Sequence, residues 1–322
     1  MSVKVSVIMS IYNETQMEIS QAVNSILNQS FKNFEFIIIN DNPRNKLISD
    51  NINNLNTDSR IKIITNENNI GLASSLNKGI AMAKGQYIAR MDADDVSLEH
   101  RLQLETELLD KHTDIVLVST NCEYIDESGK SLGFKGRIPT SSENISKILP
   151  YGSSIIHPSV MIKKDILESV GCYRIFKTAE DYDLWLRLLS RNYRIMSIDQ
   201  PLIRYRIRQD SMTQSDKFLL YLTTKYQILL FKQRKQGQSD DFSEINYKNY
   251  LKVHGYDSKN DRYLFCKSTN YFNDAIMFLK KRKLFLFLIN LMRAYVQSGL
   301  GRDYINNFVK YEFKVKGLGK IN

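Results

Sequence analysis

Asp92, Asp94 and Asp95 put three carboxylates into four positions, directly after the short apolar run Tyr87-Ile88-Ala89-Arg90-Met91. Like charges that close repel unless something cationic neutralises them. Hard oxygen ligands of this kind suit Mg²⁺ or Mn²⁺, which are commonly held by one or two carboxylates plus substrate phosphates. In open parallel α/β sheets the carboxyl ends of the strands are where ligands bind. The cluster therefore reads as a site for a metal ion and a diphosphate. A solvated acidic turn that caps the following helix is the alternative that these residues alone leave open. A second constellation is Glu180-Asp181-Tyr182-Asp183, at the start of an amphipathic stretch. A helix N-terminus favours an ionised carboxylate there, which is the state a general base needs, although helix-capping acids are also common.

The elements that must position these groups follow from periodicity. Val3–Met9 is an apolar run rich in β-branched residues, as expected of a strand buried on both faces, and Phe34–Ile39, Ile61–Thr65 and Tyr87–Met91 read as the next three strands. Between them, 15–27 and 72–83 carry apolar residues at helical spacing, and 98–111 reads as a charged amphipathic helix with Ser97 as its cap. Ile115–Ser119 predicts a further strand, 119–158 an irregular loop beside a site, and Val160–Ile162 a short strand. A short helix from Asp165, a helix over 180–191 and strands over 194–198 and 202–207 complete this part. Strands alternating with helices predict an α/β fold with a doubly wound, mainly parallel sheet flanked by helices.

After Ser211 the pattern changes to long helices, expected over 217–236, around 243–253 and over 273–296. The division expected is residues 1–214 as a catalytic domain and 215–322 as a basic, mostly helical appendage. Residues 215–322 hold 20 Lys and Arg against 9 Asp and Glu, so the net charge of +10 lies wholly there and the first 214 residues are close to neutral. A basic appendage on a neutral body points to an anionic partner, such as a membrane surface, a lipid-linked substrate or nucleic acid. Lys280-Lys281-Arg282-Lys283 lead into Leu284-Phe285-Leu286-Phe287-Leu288-Ile289. That segment suits either an interfacial helix or one arm of a helical hairpin packed on its neighbour.

Bulk composition narrows the class. Hydrophobic content of 43% and charged content of 25% are ordinary for a globular protein. Cys122, Cys172 and Cys266 show no spacing typical of a zinc site or a disulfide framework, which fits a reducing compartment. No apolar run approaches the ~18–20 residues that cross a bilayer. A cytoplasmic protein, soluble or peripheral on the inner face of the membrane, is expected. Four histidines give no context for a Ser-His-Asp triad, and His157 beside Pro158 reads as a packed residue.

Four blocks, in order, resemble family 2 glycosyltransferases, inverting enzymes of the GT-A fold that use nucleotide-diphospho sugars. They are Val5–Glu14; Phe34–Asn42, ending Asn40-Asp41-Asn42; Asn69–Ala73 with Leu76–Ile80, leading to Asp92–Asp95; and His157–Met161 with Gly171–Arg174 and Glu180-Asp181. Ordered blocks are far more specific than a lone Asp-x-Asp. The resemblance implies that Ser10 and Tyr12, with Glu14 close by, line the nucleotide base and that Asp41 hydrogen-bonds it. Asp92 is then set against the ribose or donor sugar, and Asp94 on the ion bridging the diphosphate, with Asp95 assisting. It implies that Arg90 approaches the diphosphate or neutralises the neighbouring acids. Asp181 matches the catalytic base, and Glu180 an orienting or acceptor-side group. Mg²⁺ or Mn²⁺ is the implied cofactor, and a UDP-sugar the implied donor.

There are departures from the family pattern. Many members carry a His shortly after a Tyr-Arg pair, whereas Tyr205-Arg206 is followed here by Ile207 and Arg208, leaving Arg208 to meet phosphate or to take no catalytic part. Asn42-Pro43 stands where Gly-Ser is usual. The only Trp is Trp185, and Gln-x-x-Arg-Trp, usual in processive synthases, is missing, which favours addition of one sugar to a glycan or lipid-linked acceptor. A nucleotidyltransferase would want a Gly-rich phosphate loop where Ser10–Glu14 lies. A nucleic-acid-binding protein or a non-catalytic scaffold using the basic third are the readings from other classes. Self-association stays open.

Overall fold

In the computed structural model, residues 2–46, 48, 58–208 and 216–318 are described. The chain divides into two compact units. The first comprises Met1–Ser146, Ser153–Phe176 and Asp183–Arg208, and the second Lys147–Gly152, Lys177–Tyr182 and Gln209–Asn322. The expected boundary at 214/215 lies outside the described residues.

The first unit is built on a mixed, largely parallel sheet. Strands β1 (Val5–Ile11), β2 (Phe34–Asn40), β3 (Ile61–Thr65) and β4 (Tyr87–Asp92) run parallel in the order β3-β2-β1-β4. Every residue of β2 is buried and most are apolar, with the carboxylate of Glu35 held by Ser6 and Lys62. Register pairs Ser10 with Ile39 on one side and with Asp92 on the other. Three strands therefore end at one level, and the loops after Ile11, Asn40 and Asp92 share one edge.

Local chemistry sets the helices that follow. Helix α1 (Gln16–Leu27) opens with a capping box, in which Thr15 Oγ1 accepts from the Glu18 N–H and the Glu18 carboxylate accepts from the Thr15 N–H at 2.7 Å. Helix α2 (Leu72–Met82) lies close to the sheet at Gly79, where a Cβ would stand 2.8 Å from Ile8 Cγ2. Ser97 does not cap the next helix. It sits in the two-residue strand β5 (Val96–Ser97), where its N–H donates to Ser25 Oγ, and helix α3 (Arg101–Lys111) starts after His100 instead.

About half of the stretch expected to be irregular forms regular elements. Strand β6 runs from Ile115 to Ile125, turns into β7 (Ser131–Phe134) and is followed by helix α4 (Ser142–Ile148). Buried polar residues broke the apolar pattern without breaking the strand. Ser119 Oγ bonds Ser197 Oγ, and Asn121 donates to the Gly136 carbonyl and to Asp199. After a 3₁₀ turn (His157–Ser159), β8 (Met161–Lys163) lies antiparallel between β4 and β6, and helices α5 (Lys164–Ser169) and α6 (Glu180–Ser190) follow. The two strands expected at 194–207 are one, β9 (Arg194–Arg206), because Pro201 falls at a register shift opposite Asn121 where its missing N–H is tolerated. Trp185 and Leu186 are fully buried, as expected of core residues.

The second unit is helical: α7 (Lys217–Lys235), α8 (Glu244–Val253), α9 (Lys259–Lys280), α10 (Leu284–Gln297) and α11 (Gly299–Leu318). Rings from Phe218, Tyr221, Phe265, Phe272 and Tyr304 pack in its interior. The single helix expected over 273–296 is two helices, broken where Arg282 takes a left-handed conformation with φ 57°. Four successive cations repel along a helix, which favours a break at that point. Among the described residues, no helix is long and apolar enough to cross a membrane.

One buried ion pair supports the strand that carries the acidic cluster. Arg101 and Glu105 are fully buried, 3.8 Å apart, and Arg101 Nη1 donates to the carbonyls of Arg90 and Pro158. Burial pushes the Glu105 carboxyl up to about 8 despite Arg101. Removing one member of such a pair strands the other, which typically costs about 3–5 kcal/mol. Arg101→Ala is expected to lose roughly that much stability in urea unfolding, and Arg101→Met with Glu105→Leu to recover part of it. A wild-type midpoint for Arg101→Ala would show the pair to be dispensable.

Candidate active site

The loops at the common strand edge are tied to one another before any ligand is considered. The Asn42 side chain donates to the Tyr12 carbonyl at 2.8 Å and to Asn13 Oδ1 at 3.1 Å, joining the loops after β1 and β2. The Tyr12 N–H donates to Glu14 Oε2 at 2.7 Å, so Glu14 is held back against its own turn while the Tyr12 ring stays exposed. Asp41 is buried and accepts from Asn66 Nδ2, the Ile70 N–H and the Gly71 N–H, all within 2.9 Å. Gly71 stands at the N-cap of α2 with φ 82°, a conformation glycine adopts freely. Asp41 thus fixes the start of that helix in addition to facing the shared edge.

The acids after β4 divide by environment. Asp92 and Asp94 keep side chains about a third and a quarter exposed, whereas Asp95 is buried with Oδ1 accepting from the Arg206 N–H at 2.8 Å. Among the described residues, Asp95 Oδ2 has no hydrogen-bond donor. Asp95 anchors the turn to β9, and Asp92 and Asp94 form its accessible lip. Arg90 is buried and pairs with Asp92 Oδ1 and the Met91 carbonyl. Of the two roles open to it from sequence, its contact with the neighbouring acid is the one seen.

Arg206, the last residue of β9, and Arg208 just beyond it meet this turn. The Arg206 guanidinium donates to the carbonyls of Asp94, Asp126 and Glu127 and to Gln21 Oε1, at 2.7–3.0 Å. Arg208 Nη1 lies 3.8 Å from Asp94 Oδ2 and 3.7 Å from Glu18 Oε1. The position where many relatives were expected to carry a His therefore presents a fixed positive charge to the acid assigned to the metal. Glu18, Gln21 and Arg206 were not singled out from sequence. Thr15-x-x-Glu18 signals a cap but gives no hint of the reach across to β9.

Electrostatics show a cluster short of positive charge. Burial, then Asp92 and Glu14, raise the Asp94 carboxyl to about 7, with Arg208 opposing. Burial and Asp92 also raise Glu14, and burial with both neighbouring aspartates holds Asp95 well above the usual carboxylate range. Such mutual repulsion fits a site completed by a cation. Among the described residues, no three Asp, Glu, His or Cys side chains converge tightly enough to hold an ion by themselves. Asp92 and Asp94, part-exposed at the lip, are the carboxylates that could lend ligands to a hard divalent cation.

Glu180 and Asp181 open α6 and belong to the second unit, while from Asp183 onward the helix belongs to the first. Asp183 is fully buried and held by Arg187 at 2.7 Å and Arg174 at 3.6 Å. His157 is buried, bonded to the Tyr173 hydroxyl at 2.9 Å and edge-on to Trp185, with its imidazole held neutral by burial and by Arg90. The packed role expected of it holds.

Residues 6–171 match the sequence profile described as glycosyl transferase family 2. An uncharacterized glycosyltransferase of Methanocaldococcus jannaschii is 35% identical over 220 residues, covering 67% of this chain and 76% of that protein. The O-antigen biosynthesis glycosyltransferase WbnJ of Escherichia coli is 34% identical over 236 residues, covering 72% of this chain and 90% of WbnJ. Residues 1–349 of TarS from S. aureus, crystallised with UDP-GlcNAc, superpose with a TM-score of 0.60 at 15% identity, covering 90% of each chain.

Arg206 should be the most sensitive residue of this edge. Arg206→Ala removes the donor from three carbonyls and Gln21, and each buried group left unpaired costs about 1–3 kcal/mol. A loss of roughly 3–5 kcal/mol in chemical unfolding is expected, together with faster proteolysis in the Asp126–Lys130 turn. Arg206→Lys should restore only part of this, since one ammonium cannot reach the acceptors spanned by a planar fork. Full rescue by Lys would refute the fork's role.

Proposed function

The chain belongs to glycosyl transferase family 2, and on that premise we propose that it moves one sugar, with inversion, from a UDP-sugar to a hydroxyl of a glycan or lipid-linked acceptor in surface-polysaccharide synthesis. The observation that carries this reading is the convergence of Glu14, Asp92 and Asp94 at the carboxyl ends of β1 and β4, facing Arg208. The UDP donor is supported by the nucleotide sugar bound to the TarS fold neighbour. The acceptor class is supported by the O-antigen role named for WbnJ. Addition of a single sugar agrees with the missing Gln-x-x-Arg-Trp segment.

In this mechanism Ser10 and Tyr12 bear on the base, and Asp41 orders the loop beside it. Asp92 and Asp94 would hold Mg²⁺ or Mn²⁺, which supplies Lewis-acid stabilisation of the diphosphate leaving group. Arg208 adds a fixed positive charge beside Asp94, where negative charge develops as the diphosphate departs. Asp181 takes the proton from the acceptor hydroxyl as that oxygen attacks the anomeric carbon, and Glu180 orients the acceptor. A single in-line displacement exchanges the sugar–phosphate bond for a glycosidic bond of opposite configuration. No covalent sugar–enzyme bond forms.

Two substitutions separate these roles. Asp181→Asn removes the base and is expected to lower kcat about 10²–10⁴-fold, while UDP binding in the presence of Mn²⁺, read by titration calorimetry, stays close to wild type. Asp94→Asn should weaken that metal-dependent UDP binding as well as turnover. Near-wild-type transfer by either variant, across a panel of UDP-sugars, would remove the mechanism.

A further inference from the structure

Helix α10 is amphipathic in the wrong direction for a helix that only packs inside a protein. Its buried side is narrow. Ala294 sits in a small core with Phe272 and Ile305, Ser268 Oγ donates to the Ala294 carbonyl, and Asn290 is the other buried residue. Outward it shows Leu284 (63% exposed), Phe285 (76%), Leu288 (60%), Met292 (65%) and Val296 (71%). At 100° per residue, positions 284, 288, 292 and 296 form a continuous stripe. Asn290 and Ala294 fall on the opposite side of the helix. Packing of α10 on its hairpin partner therefore leaves its most apolar stripe uncovered. A contiguous exposed apolar patch of this kind marks an interaction surface.

Charge identifies what covers it. Lys280, Lys281, Arg282 and Lys283 are all exposed at the N-terminal end of the stripe. From Ala275 to Arg302 the chain carries six basic residues and no Asp or Glu. A second copy of the chain could cover the stripe but would bring no anionic group to the four cations, since this segment carries no Asp or Glu. A nucleic acid would satisfy the cations but leave Leu284, Leu288, Met292 and Val296 in water. An anionic bilayer satisfies both, since headgroup phosphates meet the basic cluster while the stripe enters the boundary between headgroups and acyl chains. The 14 residues of α10 extend about 21 Å, too short to span the hydrocarbon layer but suited to lying in its plane.

We propose that α10, with the Lys280–Lys283 cluster, is a membrane-docking helix that seats the protein on anionic lipid. Neither half is sufficient: the apolar stripe supplies depth, and the cations select for charged lipid. Docking is a property of the second unit alone and does not depend on the reading of the catalytic site.

The test is flotation of the full-length protein with vesicles of phosphatidylcholine alone or with about one-third phosphatidylserine or phosphatidylglycerol. The expected result is partitioning to anionic vesicles at least tenfold stronger than to neutral ones, weakening as salt is raised. Phe285→Asp with Leu288→Asp, and separately Lys280→Glu with Lys281→Glu and Lys283→Glu, should each lower that partitioning at least tenfold. Because these side chains are exposed, both variants should keep the wild-type melting temperature and UDP binding, which separates loss of docking from loss of folding. Equal binding to neutral vesicles would overturn the proposal. So would a dimer in light scattering that the Phe285→Asp and Leu288→Asp variant splits without any vesicle binding, or release of the protein from vesicles by single-stranded RNA.

Discussion

Repulsion among carboxylates at the ends of adjoining strands is the constraint on which the first unit depends. Asp92, Asp94, Asp95 and Glu14 come together because β1 and β4 pair in a register that ends both at one level. In a partly desolvated edge their mutual repulsion is several times stronger than in water. Isolated, this arrangement would push the turn open or protonate it, and the raised Asp94 and Asp95 carboxyls show the second tendency. The surrounding structure contains it. Arg90 lies against Asp92, Arg208 against Asp94, the Arg206 N–H binds Asp95, and the Arg206 guanidinium holds the Asp94 carbonyl. Arg90 comes from β4, Arg206 from the end of β9 and Arg208 from just beyond it, so the ends of two distant strands are fastened together by the charges they must neutralise.

Neutralisation is also incomplete in a directed way. The buried acid is anchored, while the two acids at the lip keep part of their surface open. A structural cluster would gain from full pairing, since each unpaired buried charge is destabilising. Leaving Asp92 and Asp94 accessible is coherent if a cation and a diphosphate complete them. Rigidity there is inherited from the scaffold. Asn42 bridges the first two loops, Asp41 fixes the start of α2, and Arg101 supports β4 from beneath through the Arg90 carbonyl.

Legibility in the sequence followed burial. Strands β1, β2 and β4 could be read because they are almost wholly buried and mostly apolar, while β3, only partly covered, still carries three isoleucines in five residues. Strand β6 could be read only as far as Ser119, because beyond it Ser, Thr and Asn are buried in mutual hydrogen bonds that imitate a loop by composition. Pro201 split β9 on paper, yet the sheet accommodates it at an irregularity. The acidic turn was visible from residue type and spacing. The division of labour within it was not, since whether Asp95 faces solvent or the Arg206 N–H depends on a strand 111 residues away in sequence. Glu18 and Gln21 were hidden for the same reason: on α1 they look like ordinary helix-surface residues, and only the fold brings Arg206 and Arg208 to them.

The two units break the ordinary rules of folding in complementary ways. The first gathers like-charged acids where solvation is poor, and the second leaves an aliphatic stripe in water next to four successive cations. Neither arrangement stabilises the isolated chain, and each would be relieved by simple substitutions that leave the backbone unchanged. Sequences tend to keep such local conflicts where a ligand resolves them. A divalent ion with a diphosphate would resolve the first conflict, through charge. The second involves charge and apolar area together, and an interface that is anionic at its surface and hydrocarbon beneath resolves both at once.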